Sequence, residues 1–82
     1  MCNVKLKIMK QKLFKIAKTF DVVFNNDTDS NSKGWTESYD YCLNYIKQNN
    51  GTNESYFADY KGGVVSIICN ETEETVYNEI IK

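Results

Sequence analysis

Trp35-Thr36-Glu37-Ser38-Tyr39-Asp40-Tyr41-Cys42-Leu43-Asn44-Tyr45-Ile46-Lys47-Gln48-Asn49, followed by Asn50-Gly51, is the stretch on which the fold turns. Tyr39, Cys42, Leu43 and Ile46 stand at i, i+3, i+4 and i+7, the spacing of one face of an amphipathic helix. Thr36, or Ser32 a turn earlier, is placed to cap its start. Glu37 and Asp40 suit the positive end of the helix dipole. Lys47 lies in the last turn, and Asn50-Gly51 offers a left-handed stop.

On either side of this helix the pattern changes to strands. Thr19–Asn25 is rich in aromatic and β-branched residues and reads as a strand. Asn26–Gly34 is small and polar throughout and reads as a loop. Beyond the helix, Ser55–Tyr60, Val64–Asn70 and Thr75–Ile81 read as three strands. They are joined by Lys61-Gly62-Gly63 and by a turn over Glu71–Glu74. The expected fold is α+β, a two-layer β-α-β-β-β domain with one helix packed on a mainly antiparallel four-stranded sheet. A single helix covers only one sheet face, so the other needs an explanation of its own.

Residues 1–18 are read as a basic N-terminal arm and residues 19–82 as the domain. The arm carries six lysines and no acid. The remaining residues carry four lysines against eleven acids, so a net charge of −1 conceals a basic arm on an acidic body. Through the arm and into the next segment, Leu6, Met9, Leu13, Ile16 and Phe20 recur at helical spacing, with Ile8 and Phe14 on the lysine side. Phe14, Ile16, Phe20, Val22 and Phe24 alternate instead with period two, which would extend the following strand backwards. Lysines interrupt every apolar run of the arm, which does not make a good signal peptide. The longest apolar run, Val64–Cys69, is far short of a membrane span, so no membrane association and a cytoplasmic location are expected.

Eighty-two residues suffice for one domain with a small core, and a deep pocket would weaken it. The chain has no His, no Pro and no Arg. Without His, nucleophile–imidazole dyads and histidine metal sites have no basis here. Without Arg there is no bidentate fork for phosphate or guanine. The three cysteines Cys2, Cys42 and Cys69 are widely spaced and form no CxxC, which argues against zinc or iron–sulfur. Cys42 and Cys69 lie among apolar residues and read as small, reduced, buried hydrophobes. Asp27-x-Asp29-x-Asn31 resembles the start of a calcium loop, but Ser32 and Ser38 occupy positions where that loop needs Gly and Glu. No cofactor, metal or catalytic residue is expected, and the chain is not read as an enzyme.

Binding is what remains. Exposed Tyr and Trp anchor protein partners, and a negative field favours basic ones. Trp35, Glu37, Asp40, Tyr41, Tyr45, Tyr56, Asp59 and Tyr60 are the candidate partner-binding residues. Ten Asn, six Tyr and Lys without Arg suggest an AT-rich genome. That flavour suits a phage or mobile-element inhibitor of a host nucleic-acid machine, of the anti-CRISPR or anti-restriction type. Two alternatives stand beside this reading. Lys5, Lys7, Lys10, Lys12, Lys15 and Lys18 could hold a nucleic-acid backbone by counterion release, or two copies could bury each other's open sheet face as a homo-oligomer.

Overall fold

A computed structural model describes residues 18–82. The arm lies outside the described residues except for Lys18. The chain forms strand β1 (Phe20–Asn25), strand β2 (Ser30–Ser32), helix α1 (Tyr39–Asn49), the four-residue helix α2 (Tyr56–Asp59), strand β3 (Val64–Cys69) and strand β4 (Thr75–Ile80). The four strands make one sheet in the order β2-β1-β3-β4, and all neighbours are antiparallel. The α+β class and the antiparallel four-stranded sheet stand as expected.

The element order does not: it is β-β-α-α-β-β rather than β-α-β-β-β. The polar stretch after β1 holds a hairpin. Asn26 Oδ1 accepts from the Thr28 and Asp29 amides at 2.9 and 2.8 Å, and the Asn26 amide donates to the Asp29 carbonyl at 2.9 Å. This Asx turn delivers Ser30–Ser32 back onto β1. All three residues of β2 are exposed, so no apolar alternation marks them as a strand. Conversely, the stretch expected as the strand Ser55–Tyr60 holds the helix Tyr56–Asp59. Its amides close local bonds, Phe57 to Glu54, Ala58 to Ser55 and Tyr60 to Tyr56. Aromatic strand propensity suggested a strand, but six residues cannot separate the two periods. Here i,i+3 spacing buries both Phe57 and Tyr60.

Helix α1 also begins later than Trp35. Glu37 is held at the edge of β1, its carbonyl accepting the Phe20 amide at 2.7 Å and its amide donating back at 3.2 Å. Extended backbone there cannot be helix, so the cap is Ser38, whose Oγ accepts from the Tyr41 amide at 3.0 Å.

The core lies on one face of the sheet. Val22 and Phe24 of β1 stand opposite Ile67 and Val65 of β3, and Cys42, Ile46, Phe57 and Tyr60 from the helices close over them. The helical stripe was therefore read correctly at Cys42 and Ile46. Phe24 stacks edge-on with Phe57, ring centroids 4.9 Å apart. Cys42 and Cys69 are buried free thiols. The opposite face of the sheet has no described element over it. No helix among the described residues is long and apolar enough to cross a membrane.

Candidate partner-binding surface

The backbone of Trp35 is fixed from two sides. Asp21, on β1, accepts from the Trp35 amide at 2.9 Å and the Gly34 amide at 3.1 Å. Asn70, just past β3, donates its side-chain amide to the Trp35 carbonyl at 2.9 Å. The indole thus emerges from a rigid frame rather than a free loop. It packs edge-on against Tyr45, centroids 4.8 Å apart, and against Tyr41 at 5.2 Å. Tyr41 and Tyr45 are i,i+4 neighbours on α1, which is why one indole meets both.

The three rings differ in exposure. Trp35 and Tyr45 are half-buried, whereas Tyr41 is 50% exposed. Tyr45 donates its hydroxyl to Glu54 at 2.6 Å. Burial first, and then this bond to a carboxylate, hold its phenol above the ordinary range, so it stays protonated at neutral pH.

Lys33 completes the cluster. Its ammonium lies 5.6 Å from the Trp35 ring centroid, 5.5 Å from that of Tyr45 and 5.7 Å from that of Tyr56, and donates to Ser55 Oγ at 3.1 Å. A shallow depression beside it is lined by Ser32, Lys33, Ser55, Tyr56 and Asp59, and another by Tyr41, Asn44, Tyr45 and Gln48. Sequence reading missed Lys33 and Glu54 because both sit in polar connecting segments. No alternation marks Lys33, because Gly34 between it and Trp35 is in the left-handed region and the segment is not extended.

Of the eight candidate residues, Trp35, Tyr41, Tyr45 and Tyr56 are joined through ring contacts and Lys33. Asp40 and Asp59 are exposed on α1 and α2, and Glu37 is half-buried at the edge of β1. Tyr60 belongs elsewhere. It is only 3% exposed, and its hydroxyl donates to Asp29 at 2.7 Å and accepts from the Asn31 side-chain amide at 2.8 Å. Tyr60 therefore pins the β1–β2 hairpin to α2, and the Asp29 and Asn31 oxygen-bearing side chains serve that junction. Among the arm lysines only Lys18 is described, and it is exposed.

The thiol nearest this surface is unsuited to nucleophilic work. Burial, followed by the charges of Asp21 and Glu37, pushes Cys42 up to about 11. What the surface presents is packed aromatic area, hydroxyls and carboxylates. Comparisons with protein-family models, curated proteins and solved structures found no match to this chain.

Proposed function

We propose that this chain is a small non-catalytic binding module that engages a protein partner through Trp35, Tyr41 and Tyr45 and the carboxylates around them. One observation carries the reading: Tyr41, half exposed, stands edge-on to an indole whose backbone is fixed at both its amide and its carbonyl. Anchors of this kind lose little side-chain entropy on binding, because their rotamers are already restricted. Tyr and Trp are also the residues on which interface energy concentrates. Glu54 bonds Tyr45, Asp59 lines the depression beside Lys33, Asp40 is exposed on α1, and residues 19–82 are acidic overall, which favours a partner with a basic surface. A basic surface is what nucleic-acid enzymes present. Occluding one, in the manner of a phage or mobile-element inhibitor, is the form of action this chemistry suits best.

The test compares what the intact protein and a variant carrying Tyr41→Ala with Asp40→Lys retain from a host lysate. A control changes Asn78, which lies on the far face of the sheet. The proposal expects a protein retained by the intact chain and the Asn78→Lys control and lost by the double variant. Identical retention by all three would overturn it.

A further inference from the structure

Three aromatic rings surround one ammonium. Lys33 Nζ lies 5.6, 5.5 and 5.7 Å from the ring centroids of Trp35, Tyr45 and Tyr56. The rings come from the connection before α1, from α1 and from α2. Each ring face is the negative side of an aromatic quadrupole, so a cation set among three of them is held by all. The same ammonium donates to Ser55 Oγ, and among the described residues no carboxylate pairs with it. A lysine ammonium carries three donors, so two of them meet no acceptor among the described residues. A cation with fewer N–H groups suits this box better than the lysine that fills it.

We infer that Trp35, Tyr45 and Tyr56 form a binding site for an N-methylated ammonium, that of a methylated lysine on a protein partner, and that Lys33 is its internal occupant, displaced when the ligand enters. The surrounding charge favours such a cation. The Tyr45 hydroxyl donates to the Glu54 carboxylate at 2.6 Å, which pushes electron density into the phenol ring and makes its face more negative. Asp59 lines the depression beside Lys33, together with Ser55 and Tyr56, and so places a carboxylate at the mouth. Hydration points the same way. A primary ammonium is strongly hydrated, whereas methyl groups in place of N–H leave less water to strip as the cation moves between the rings.

Displacing Lys33 needs no movement of the main chain. Its amide donates to the Val22 carbonyl at 3.0 Å, and Asp21 holds the next two amides, of Gly34 and Trp35, at 3.1 and 2.9 Å. The backbone here is fixed to β1, and only the Lys33 side chain has to swing out. That side chain is half-buried on a flexible stem, with the depression open beside it. Lys33 therefore acts as a competitor of fixed strength. It lowers the affinity of the box by the fraction of time that it leaves the rings free.

The inference rests on the partner-binding reading for the source of the methylated lysine, but the box is tested without that partner. The full chain and its Lys33→Ala variant are titrated, following Trp35 emission, with three short peptides of one sequence. They carry trimethyllysine, unmodified lysine, or the neutral tert-butyl isostere of trimethyllysine. Lys33→Ala should bind the trimethyllysine peptide at least about tenfold more tightly than the neutral isostere. Its preference over unmodified lysine should be at least about threefold. The intact chain should bind the trimethyllysine peptide about two- to fivefold more weakly than Lys33→Ala, because its own ammonium competes. Tyr56→Leu added to Lys33→Ala should weaken binding about threefold or more. Should that variant fail to fold, Asp59→Lys alters no core side chain and should weaken binding by at least about threefold through like charge at the mouth. Equal affinity for the three peptides, equal affinity of the intact chain and Lys33→Ala, or no binding at all would overturn the inference. None of these touches the lysate comparison, which turns on Tyr41 and Asp40. Loss of the lysate partner with peptide binding intact would sink the partner-binding reading and leave the cation box standing.

Discussion

The side-chain amide of Asn50 donates to the Glu79 carboxylate at 2.6 Å and so ties the end of α1 to the edge strand β4. The same amide reaches the Ile80 carbonyl at 2.8 Å, and Asn50 Oδ1 accepts the Lys82 amide at 2.8 Å. Glu79 also receives Lys47 Nζ at 3.0 Å and the Tyr77 hydroxyl. On an edge strand with few core side chains, this polar junction does what apolar packing does elsewhere in the sheet.

That junction makes stability depend on acid in a definite direction. Burial disfavours the ionised Glu79, but the donors Tyr77, Asn50 and Lys47 outweigh it and hold the carboxyl below its ordinary 4.5. A depressed carboxyl stabilises the fold above its unfolded pKa, and that contribution is lost as pH falls through the range below about 4.5. Glu79→Gln should therefore lower the urea midpoint near neutrality and converge on the parent at low pH. A gap between the two proteins that is equal at pH 7 and at pH 3 would refute this.

Thiol chemistry gives a second expectation. With Cys42 pushed up to about 11 and fully buried, iodoacetamide at mildly alkaline pH should leave it unmodified in the native protein. The same reagent in urea should modify it fully. Peptide mass mapping distinguishes it from Cys2 and Cys69, and rapid native labelling of the Cys42 peptide would contradict the buried site.

The two glycines before β3 separate two kinds of cost. A Cβ on Gly63 would stand 2.2 Å from the Asn25 carbonyl oxygen and 3.0 Å from that of Tyr60, both backbone atoms that cannot swing aside. Gly63→Ala should cost at least the upper end of the roughly 1–3 kcal/mol of ordinary overpacking. Gly62 has φ +87° with open space around it, so Gly62→Ala meets only the left-handed penalty, about 1–2 kcal/mol. Chemical denaturation of the pair should rank them in that order, and equal losses would show that the close approach to Asn25 is not tight.

These residues also show how much of the molecule was legible beforehand. The stripe Tyr39, Cys42, Leu43 and Ile46 declared α1, and the continuous run Val64–Cys69 declared a central strand, because burial leaves a period in the sequence. Ser30–Ser32 and Tyr56–Asp59 left none. The first is held by a turn and backbone pairing with every side chain in water, the second by a single helical turn. Trp35, Tyr41 and Tyr45 were legible as a group because two share an i,i+4 relation. The misplacement of Tyr60 followed directly from reading its segment as a strand. The role of Lys33 depended on where two separate connections, before α1 and before α2, come together, and no local pattern encodes that.

Lys33 supplies the last prediction. Its ammonium faces three rings and a serine hydroxyl, and among the described residues the single ion pair is Lys47 with Glu79. Cation–π contact at an accessible site contributes on the order of 0.5–1 kcal/mol. Lys33→Met keeps much of the apolar stem and removes the charge, so it should lose about that much stability by urea denaturation. Because Trp35 is the only tryptophan, its emission reports on this one cluster. The variant should shift that emission and lower its quenching by iodide, since the ammonium that draws the anion to the indole is gone. Lys33→Arg retains a planar cation able to stack on the same rings and should restore the parental spectrum. If methionine and arginine behave alike, the contact is one of stem packing and the charge does not hold the rings in place.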